Sequence, residues 1–405
     1  MNSQQTLAVP GEAAALNRST ALDSLRGVAA IAVLLYHARL SLWVGASETY
    51  RNKGLSFDFN AWMGYLSVPL GYGSLGVTLF FVLSGYCIHR SGAKLIANGR
   101  SDEMNWSDFA KRRFWRIYPT YIAALLLTAG IDYLINAQFG LINTTQDNSL
   151  YAFGVSLLTL QGYVASFFGS NGVFWTLAME IHLYAVYPLL FYATKRFGPN
   201  RVILAVFMLS FGYSLLEFLF AFESVLPFRF QRGPIFVPYW FTWTIGFYLA
   251  EVEANRAKSL TKRVWMAMIT VSLPTALILT TKGQHLFAEV FWAIVFAGVV
   301  QGSLGDAGKR FWSGGIGMLL AWFGIFSYSL YAIHAPLLLL YHSVISPSNN
   351  EHKFETLWPA IGGVVLVIPV AYCFFRLVES WSIKKSASVL RRSILLSNSG
   401  TGTCA

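Results

Sequence analysis

The sequence predicts an all-α fold, a polytopic integral-membrane helical bundle of about ten transmembrane helices with both termini in the cytoplasm. Of the 405 residues, 55% are hydrophobic and only 12% are charged, and the mean hydropathy is +0.50. Soluble globular domains carry about 25% charged residues, and disordered chains are far less apolar. Three cysteines are too few for a disulfide scaffold in a chain of this length. A membrane protein is the class that remains.

Ten apolar stretches are long enough to cross the hydrocarbon core, which takes about 20 helical residues. We assign the spans to residues 27–44, 67–88, 117–137, 173–194, 202–222, 234–251, 264–281, 286–303, 316–342 and 357–378. The connecting loops are short and hold no internal repeat, which predicts one integral domain over residues 1–405. Residues 1–21 and 384–405 are expected to be cytoplasmic tails, with no signal peptide and no appended soluble domain.

The formal net charge of +11 reports orientation and gives no ground for a nucleic-acid partner. Residues 151–168 are apolar but lack basic flanks, and they decide the orientation of all later spans. If they do not cross, 21 of the 30 Lys and Arg residues lie on the side of the termini and 7 on the other; if they cross, the split is 12 against 16. Because basic residues accumulate in cytoplasmic loops, we predict that this segment is re-entrant or surface-lying on the outer side.

Two ionisable residues share one face of the first span, although each costs about 2.5–3.5 kcal/mol to insert into a membrane. Arg26 and His37 are eleven residues apart, which places both side chains on one side of a helix, about 16 Å apart along its axis. A structural interpretation stays open, with Arg26 reaching the headgroups and His37 satisfied in the core. The shared face favours a functional pair, a fixed cation near the cytoplasm and an imidazole deep in the membrane.

The fourth span carries a carboxylate, and placing a carboxylate in a membrane costs free energy unless it is paired or contacts water. Glu180, Tyr184 and Tyr187 recur at i, i+4 and i+7 and therefore share one face. We expect Glu180 to pair with His37, with Arg26 or with a ligand. A purely structural pair stays open.

The ninth span repeats this spacing. Ser327, Tyr331 and His334 lie on one stripe directly before a proline. A polar contact between helices would explain the stripe, but histidines in two separate spans favour a shared internal cavity.

At the edge of the last span, Arg376 and Glu379 are expected to form a local ion pair.

Small residues dominate the second span. Gly73, Gly76 and Gly85 predict close helix packing. Ser84 or Tyr86 are candidates for facing a substrate cavity. The remaining histidines fall at span ends or in loops without ligand spacing, so no metal site is predicted.

A cluster of arginines precedes the third span in the segment K-R-R-F-W-R-I-Y-P. Arg112, Arg113 and Arg116 lie within one helical turn of one another, and planar guanidinium groups suit phosphate oxygens. The alternative is a positive-inside anchor with an aromatic belt.

Together these segments resemble acyltransferase family 3, the integral-membrane acyltransferases that modify bacterial surface glycans and some small molecules. The resemblance covers nearly the whole chain, from L-D-S-L-R-G-V-A-A at Leu22 to L-V-E-S-W at Leu377. Its five motifs, in the family's order, are the pair Arg26 and His37, F-F-V-L-S-G-Y, R-R-F-W-R-I-Y-P, F-W-T-L-A-M-E and S-Y-S-L-Y-A-I-H-A-P. The family pattern usually reads W-S-L-x-x-E, and this chain has Thr176 in place of the serine, which keeps the hydroxyl.

The resemblance implies a donor, acyl-coenzyme A, most simply acetyl-coenzyme A, acting as a co-substrate with no permanently bound cofactor. It would approach from the cytoplasm. The residues implied for binding it are Arg26, Arg112, Arg113, Arg116, Ser84 and Tyr86.

The resemblance also implies a reaction in which His37 acts as general base on an acceptor hydroxyl or carries the acyl group. Glu180, Tyr331 and His334 would orient that imidazole or the acceptor. The implied partners are a carbohydrate or glycolipid acceptor and the lipid bilayer of a bacterial inner membrane, with glycan-assembly machinery or a second copy of the chain as further candidates.

An alternative function comes from another class. A proton-coupled transporter or flippase for a glycan-linked or acidic solute would use Arg26, His37, Glu180 and His334 as a proton relay. Such proteins often repeat a half with broken helices in matching positions. The sequence has no such internal repeat, which favours the acyltransferase.

Overall fold

The computed structural model describes residues 19–140, 147–220, 236–347 and 353–399, and this part of the chain is all-α. The expected tail residues 1–18 and 400–405 lie outside the described residues. The α-helices in chain order are α1 Thr20–Leu42, α2 Ala46–Lys53, α3 Phe59–Leu66, α4 Gly76–Ala97, α5 Trp106–Phe139, α6 Leu150–Leu157, α7 Phe174–Phe197, α8 Pro199–Phe220, α9 Val237–Glu253, α10 Lys262–Thr281, α11 His285–Leu304, α12 Asp306–Trp312, α13 Gly315–Ile325, α14 Ser327–Ile345, α15 Trp358–Phe374 and α16 Ser380–Ser399.

The polytopic helical prediction is confirmed. Within the described ranges, nine helical stretches are long and apolar enough to cross a membrane. The predicted span 234–251 corresponds to α9, which has only 17 residues. Which side of the membrane the termini face stays a prediction.

The predicted span 316–342 is wrong as a single helix. The chain breaks at Phe326 (φ −114°, ψ 19°), where the Ser327 hydroxyl caps the Gly324 carbonyl at 3.0 Å. The eleven residues of α13 are about 16 Å long, too short to cross the hydrocarbon core. The helix α13 instead packs tightly on α1, so only α14 is long enough to serve as the ninth span.

Residues 151–168 form a short helix and an irregular return, so they do not cross as a helix. Helix α6 has eight residues, about 12 Å. Its carbonyl ends are bound by side chains of the bundle: the Tyr121 hydroxyl donates to Ser156 O at 2.6 Å, and the His182 ring bonds Thr159 O at 2.8 Å. Backbone covered by protein in this way is tolerated at membrane depth.

The closest helix crossings are made at glycines. A Cβ added to Gly85 of α4 would lie 1.9 Å from Trp243 O of α9, and one added to Gly246 of α9 would lie 1.9 Å from Val82 O. The predicted packing role of Gly73 and Gly76 is confirmed in the same way, with backbone oxygens of α1 within 2.4 Å of the added atom. Small residues let helix backbones approach where lipid provides no hydrophobic drive.

Buried carboxylates tie the helices together. Glu251 of α9 is fully buried and lies 2.5 Å from the His89 ring of α4 and 3.3 Å from the Arg256 guanidinium. Glu289 of α11 accepts hydrogen bonds at 3.0 Å from the hydroxyls of Thr78 and Thr242. Each buried acid therefore joins at least two helices.

We predict that Gly246→Ala destabilises the bundle by about 1–3 kcal/mol. The new methyl group would clash with the Val82 carbonyl oxygen of α4, and helix backbone cannot rotate away as a flexible side chain could. Thermal unfolding of the detergent-solubilised protein measures this. The matched control is Gly130→Ala, where an added Cβ meets nothing within 4 Å. Equal melting temperatures for the two variants would contradict the close crossing.

Candidate functional site

A cavity of about 750 Å³ runs between α1, α4, α5, α7 and α14. One stripe of α4 follows its length, with Cys87, Ser84, Phe80 and Val77 all in the wall. From Val77 to Cys87 the helix rises by about 15 Å. Nine of the wall residues form three tiers along that stripe: an arginine tier (Arg26, Arg113, Arg116), a carboxylate tier (Ser84, Glu180, Tyr184) and an aromatic tier (Phe80, Thr176, Tyr331).

Two members of the arginine tier already have carboxylate partners. Arg26 Nη1 lies 3.0 Å from Asp23, and its other terminal nitrogen lies 3.2 Å from the Cys87 thiol beside the cavity. Arg116 Nη1 lies 2.7 Å from Glu379, a fully buried carboxylate that also accepts from the Ser329 hydroxyl at 2.6 Å. The positive charge of each is largely compensated within the protein.

Arg113 differs from its neighbours in the tier. Within the described part of the chain, it forms no salt bridge, and its Nε is buried without a hydrogen-bond partner. Its guanidinium stacks over the rings of Phe109 and Tyr184, with its central carbon 5.5 and 5.8 Å from their centroids. Arg113 is therefore the uncompensated cation of this tier and the best-placed group to receive an anion.

The carboxylate tier is a hydrogen-bonded network of side chains from three helices, α4, α7 and α9. Glu180 accepts from the Ser84 hydroxyl at 3.1 Å and from the Tyr184 hydroxyl, and the Trp243 indole N–H donates to Ser84 at 3.2 Å. Of the partners expected for Glu180, neither His37 nor Arg26 is bonded to it, because the hydroxyls of Ser84 and Tyr184 occupy the carboxylate. The third alternative, a ligand, stays a prediction. The carboxylate faces the cavity with no cation bound to it among the described residues.

The aromatic tier separates the cavity from the two histidines. Tyr331 is bonded through its hydroxyl to Thr176 Oγ1 at 2.7 Å, and its ring meets Phe80 edge to face at 5.8 Å. His334 lies one turn further along α14, with its ring 5.7 Å from that of Tyr331. His334 and His37 are absent from the cavity wall.

The histidines of α1 and α14 contact each other directly. His334 Nδ1 lies 2.7 Å from Tyr331 O, an acceptor only, so this nitrogen carries the proton of the neutral ring and Nε2 is an acceptor. That Nε2 lies 3.1 Å from His37 Nδ1, which also faces Val33 O at 3.0 Å. Both neighbours of His37 Nδ1 accept hydrogen bonds, so it is the protonated nitrogen. In neutral His37 the lone pair is left on Nε2, the arrangement that a general base requires.

Two other residues predicted to bind the donor lie elsewhere. The Tyr86 hydroxyl donates to Glu253 at 2.7 Å, on the side of α4 away from the cavity. Arg112 is absent from the cavity wall, although Arg113 and Arg116 on the same helix are present. The three arginines share an arc of about 100° on the helix, with Arg112 at one edge, and the cavity meets the part of the arc that holds Arg113 and Arg116.

The predicted local ion pair between Arg376 and Glu379 is wrong. A π-helical turn, Phe375–Glu379, follows α15 and changes the angular spacing on which the i, i+3 expectation depends. Arg376 bonds the Tyr372 hydroxyl at 3.2 Å instead, which frees Glu379 for Arg116.

The sequence did not indicate Tyr328 as a wall residue of the cavity, although its neighbour Ser327 was on the predicted stripe.

A family model described as an acyltransferase domain matches residues 19–376. Peptidoglycan O-acetyltransferase OatA of Listeria monocytogenes is 24% identical over 386 residues, 89% of this chain and 55% of its own length. For putative peptidoglycan O-acetyltransferase YrhL of Bacillus subtilis the identity is 24%, over 88% and 54%. For O-acetyltransferase OatA of Staphylococcus aureus it is 22%, over 80% and 51%. The chain spans about half the length of these curated relatives, and no solved structure matches it.

We predict that Arg116→Gln destabilises the protein by about 3 kcal/mol, because it leaves the buried Glu379 carboxylate without its counter-ion. Chemical unfolding in detergent measures the loss. Arg100→Gln is the matched control, since Arg100 and Glu103 form an exposed pair and its loss should leave stability unchanged. Similar unfolding curves for both variants would show that the Arg116–Glu379 pair does not stabilise the fold.

Proposed function

Since this chain belongs to acyltransferase family 3, we propose that it transfers an acyl group, most simply acetyl, from cytoplasmic acyl-coenzyme A to a hydroxyl of a carbohydrate acceptor at the outer side of a bacterial inner membrane. The observation that carries the proposal is the arrangement of two polar sites in series. The cavity has the uncompensated Arg113 at one end, and the His37–His334 pair lies beyond the other. The names of the relatives support O-acetyl transfer to a glycan.

The donor site is the cavity. Coenzyme A carries phosphates at one end and a thiol at the other, joined by a long pantetheine arm. We assign its phosphates to Arg113, with Arg26 and Arg116 contributing weaker attraction because each is already paired. The wall stripe of α4 covers about 15 Å, a length comparable with the extended arm. The thioester then lies at the aromatic tier, close to His334.

The chemical step assigned to His37 uses its Nε2 lone pair. The acceptor hydroxyl gives its proton to Nε2 as its oxygen bonds the acyl carbon, and the carbon–sulfur bond breaks to release coenzyme A as a thiolate. His334 holds the opposite nitrogen of His37, which keeps the required tautomer and spreads the positive charge that forms. Tyr331 positions this pair through its backbone carbonyl and contributes its hydroxyl to the donor cavity.

The acceptor reaches His37 from a different direction than the donor. His334 is fully buried, at 1% exposure, whereas the ring of His37 is half-buried and is not part of the cavity wall. We assign the approach to the outer side, beneath the re-entrant segment that begins with α6. Two bulky substrates then stay on opposite sides while only the acyl group passes between them.

We predict that His37→Ala lowers acyl transfer by at least about 100-fold while acyl-coenzyme A binding is kept, because the base lies outside the donor cavity. The assay follows release of free coenzyme A from acetyl-coenzyme A by purified full-length protein with oligosaccharides from peptidoglycan as acceptor. His285→Ala, at an exposed helix start, is the control and should behave as the unmodified protein.

Full activity of the His37→Ala protein would end the role of His37 as base. The unmodified protein could instead release no coenzyme A with these acceptors and transport glycan-linked solutes across the membrane of reconstituted vesicles. That result would favour the transporter function over the acyltransferase.

We predict that Arg113→Gln raises the KM for acetyl-coenzyme A about 10- to 100-fold with little change in kcat, because the lost contact is a charge-assisted bond to the donor. Arg112→Gln is the matched control, one residue away but outside the cavity, and should change KM by less than about threefold. Equal effects of both substitutions would assign the whole arginine cluster to membrane orientation.

A further inference from the structure

We propose that the inner end of the cavity is an acyl pocket for short, uncharged acyl groups, and that Phe80 sets the length it accepts. This inference rests on the proposed donor site and names the class of donor that the site takes. It concerns the half of the cavity beyond the carboxylate tier, where the acyl group lies if the phosphates are held by Arg113.

The order of the tiers fixes the direction of the donor. Along α4, Cys87 contacts Arg26, Ser84 contacts Glu180, and Phe80 contacts the ring of Tyr331. From Cys87 to Phe80 the helix rises about 10 Å, and Val77 follows one turn later. A chain anchored by its phosphates at the arginines and running along this stripe therefore presents its acyl end to Phe80.

The wall of this inner end has no positive charge. Within the described residues, its side chains beyond the carboxylate tier are Val77, Phe80, Phe81, Thr176, Leu177 and Tyr331. The charged wall residue in the adjacent tier is Glu180, a carboxylate. A second carboxylate on the acyl group, as in succinyl-coenzyme A, would be buried without a counter-ion and beside a like charge, which is strongly unfavourable.

Phe80 is the side chain that limits the depth of this pocket. Tyr331 faces it across the cavity but is fixed by its hydrogen bond to Thr176 at 2.7 Å, and that hydroxyl pair closes one side. The phenyl ring of Phe80 forms no hydrogen bond; it lies edge to face with Tyr331 in the cavity wall, between Ser84 and Val77 along the stripe of α4. Replacing it by a smaller side chain lengthens the apolar pocket without removing a hydrogen bond.

The test measures binding, so it needs no acceptor. The full-length protein in detergent is loaded with radiolabelled acetyl-coenzyme A, which is then displaced by acetyl-, butyryl-, succinyl- and hexanoyl-coenzyme A. Butyryl and succinyl groups have the same number of carbons, so their difference isolates the charge. For the unmodified protein we expect acetyl to bind better than hexanoyl, and butyryl to bind at least about tenfold better than succinyl.

Phe80→Ala should raise the affinity for hexanoyl-coenzyme A relative to acetyl-coenzyme A at least about tenfold, since each added methylene gains an apolar contact. Phe80→Leu keeps more of the packing and should give a smaller shift in the same direction, which preserves the test if the alanine variant does not fold. Phe375→Ala is the matched control: its ring is also in the cavity wall but packs on Phe326 and Tyr372, away from the aromatic tier.

The outcomes separate the pocket from the donor site itself. An unchanged order of affinities in folded Phe80→Ala and Phe80→Leu proteins would overturn the length limit, as would an equal shift in Phe375→Ala. Succinyl bound as well as butyryl would overturn the charge exclusion. If the unmodified protein fails to bind acetyl-coenzyme A at millimolar concentration, the proposed donor site fails, whatever the variants do.

Discussion

A charge placed away from water needs a partner, and in this bundle that requirement decides which groups are left for chemistry. Glu251 is held by His89 and Arg256, and Glu379 is held by Arg116. These contacts stabilise the fold, and the Arg116–Glu379 pair at the same time compensates a charge in the cavity wall. What remains are a guanidinium at one end of a wall stripe and a hydroxyl-bound carboxylate one tier further in.

The same principle explains why the histidine pair is separate from the cavity. Two imidazoles that share a proton position can remain neutral together, and a neutral pair is far less costly to bury than an ion. Backbone carbonyls of Val33 and Tyr331 set the tautomers, and backbone geometry in a helix is rigid. The backbone carbonyls of Val33 and Tyr331 therefore orient the pair to which the proposed base, His37, belongs.

The fold was largely predictable because length and hydropathy are local properties of the sequence. The main error, the break at Phe326, also had a local signal: a helix over residues 316–342 would be about 40 Å long, well beyond the core thickness. What maintains the break is not local. The Ser24 hydroxyl donates to Gly317 O at 2.7 Å, and Gly27 of α1 lies against α13.

The candidate site was predictable as a set of residues but not as an arrangement. Helical spacing placed Tyr331 and His334 on one stripe, and histidines in two spans favoured a shared internal cavity. The structure instead brings the two rings within 3.1 Å of each other and leaves both out of the cavity wall. Spacing alone did not distinguish Arg113 from Arg116, because the distinction comes from Glu379, which is 263 residues from Arg116 along the chain. The role of Glu379 depends in turn on a π-helical turn, for which no pattern of residue types was evident.

The short helix α6 and the return that follows it have a consequence for the order in which the protein assembles. The backbone carbonyls at Ser156 and Thr159 are bound by Tyr121 of α5 and His182 of α7, and α7 comes later in the chain. During synthesis the segment therefore leaves the ribosome before one of these partners exists. Its contact with His182 can form only once α7 has followed it, so the backbone of this segment is fully satisfied later than its own synthesis.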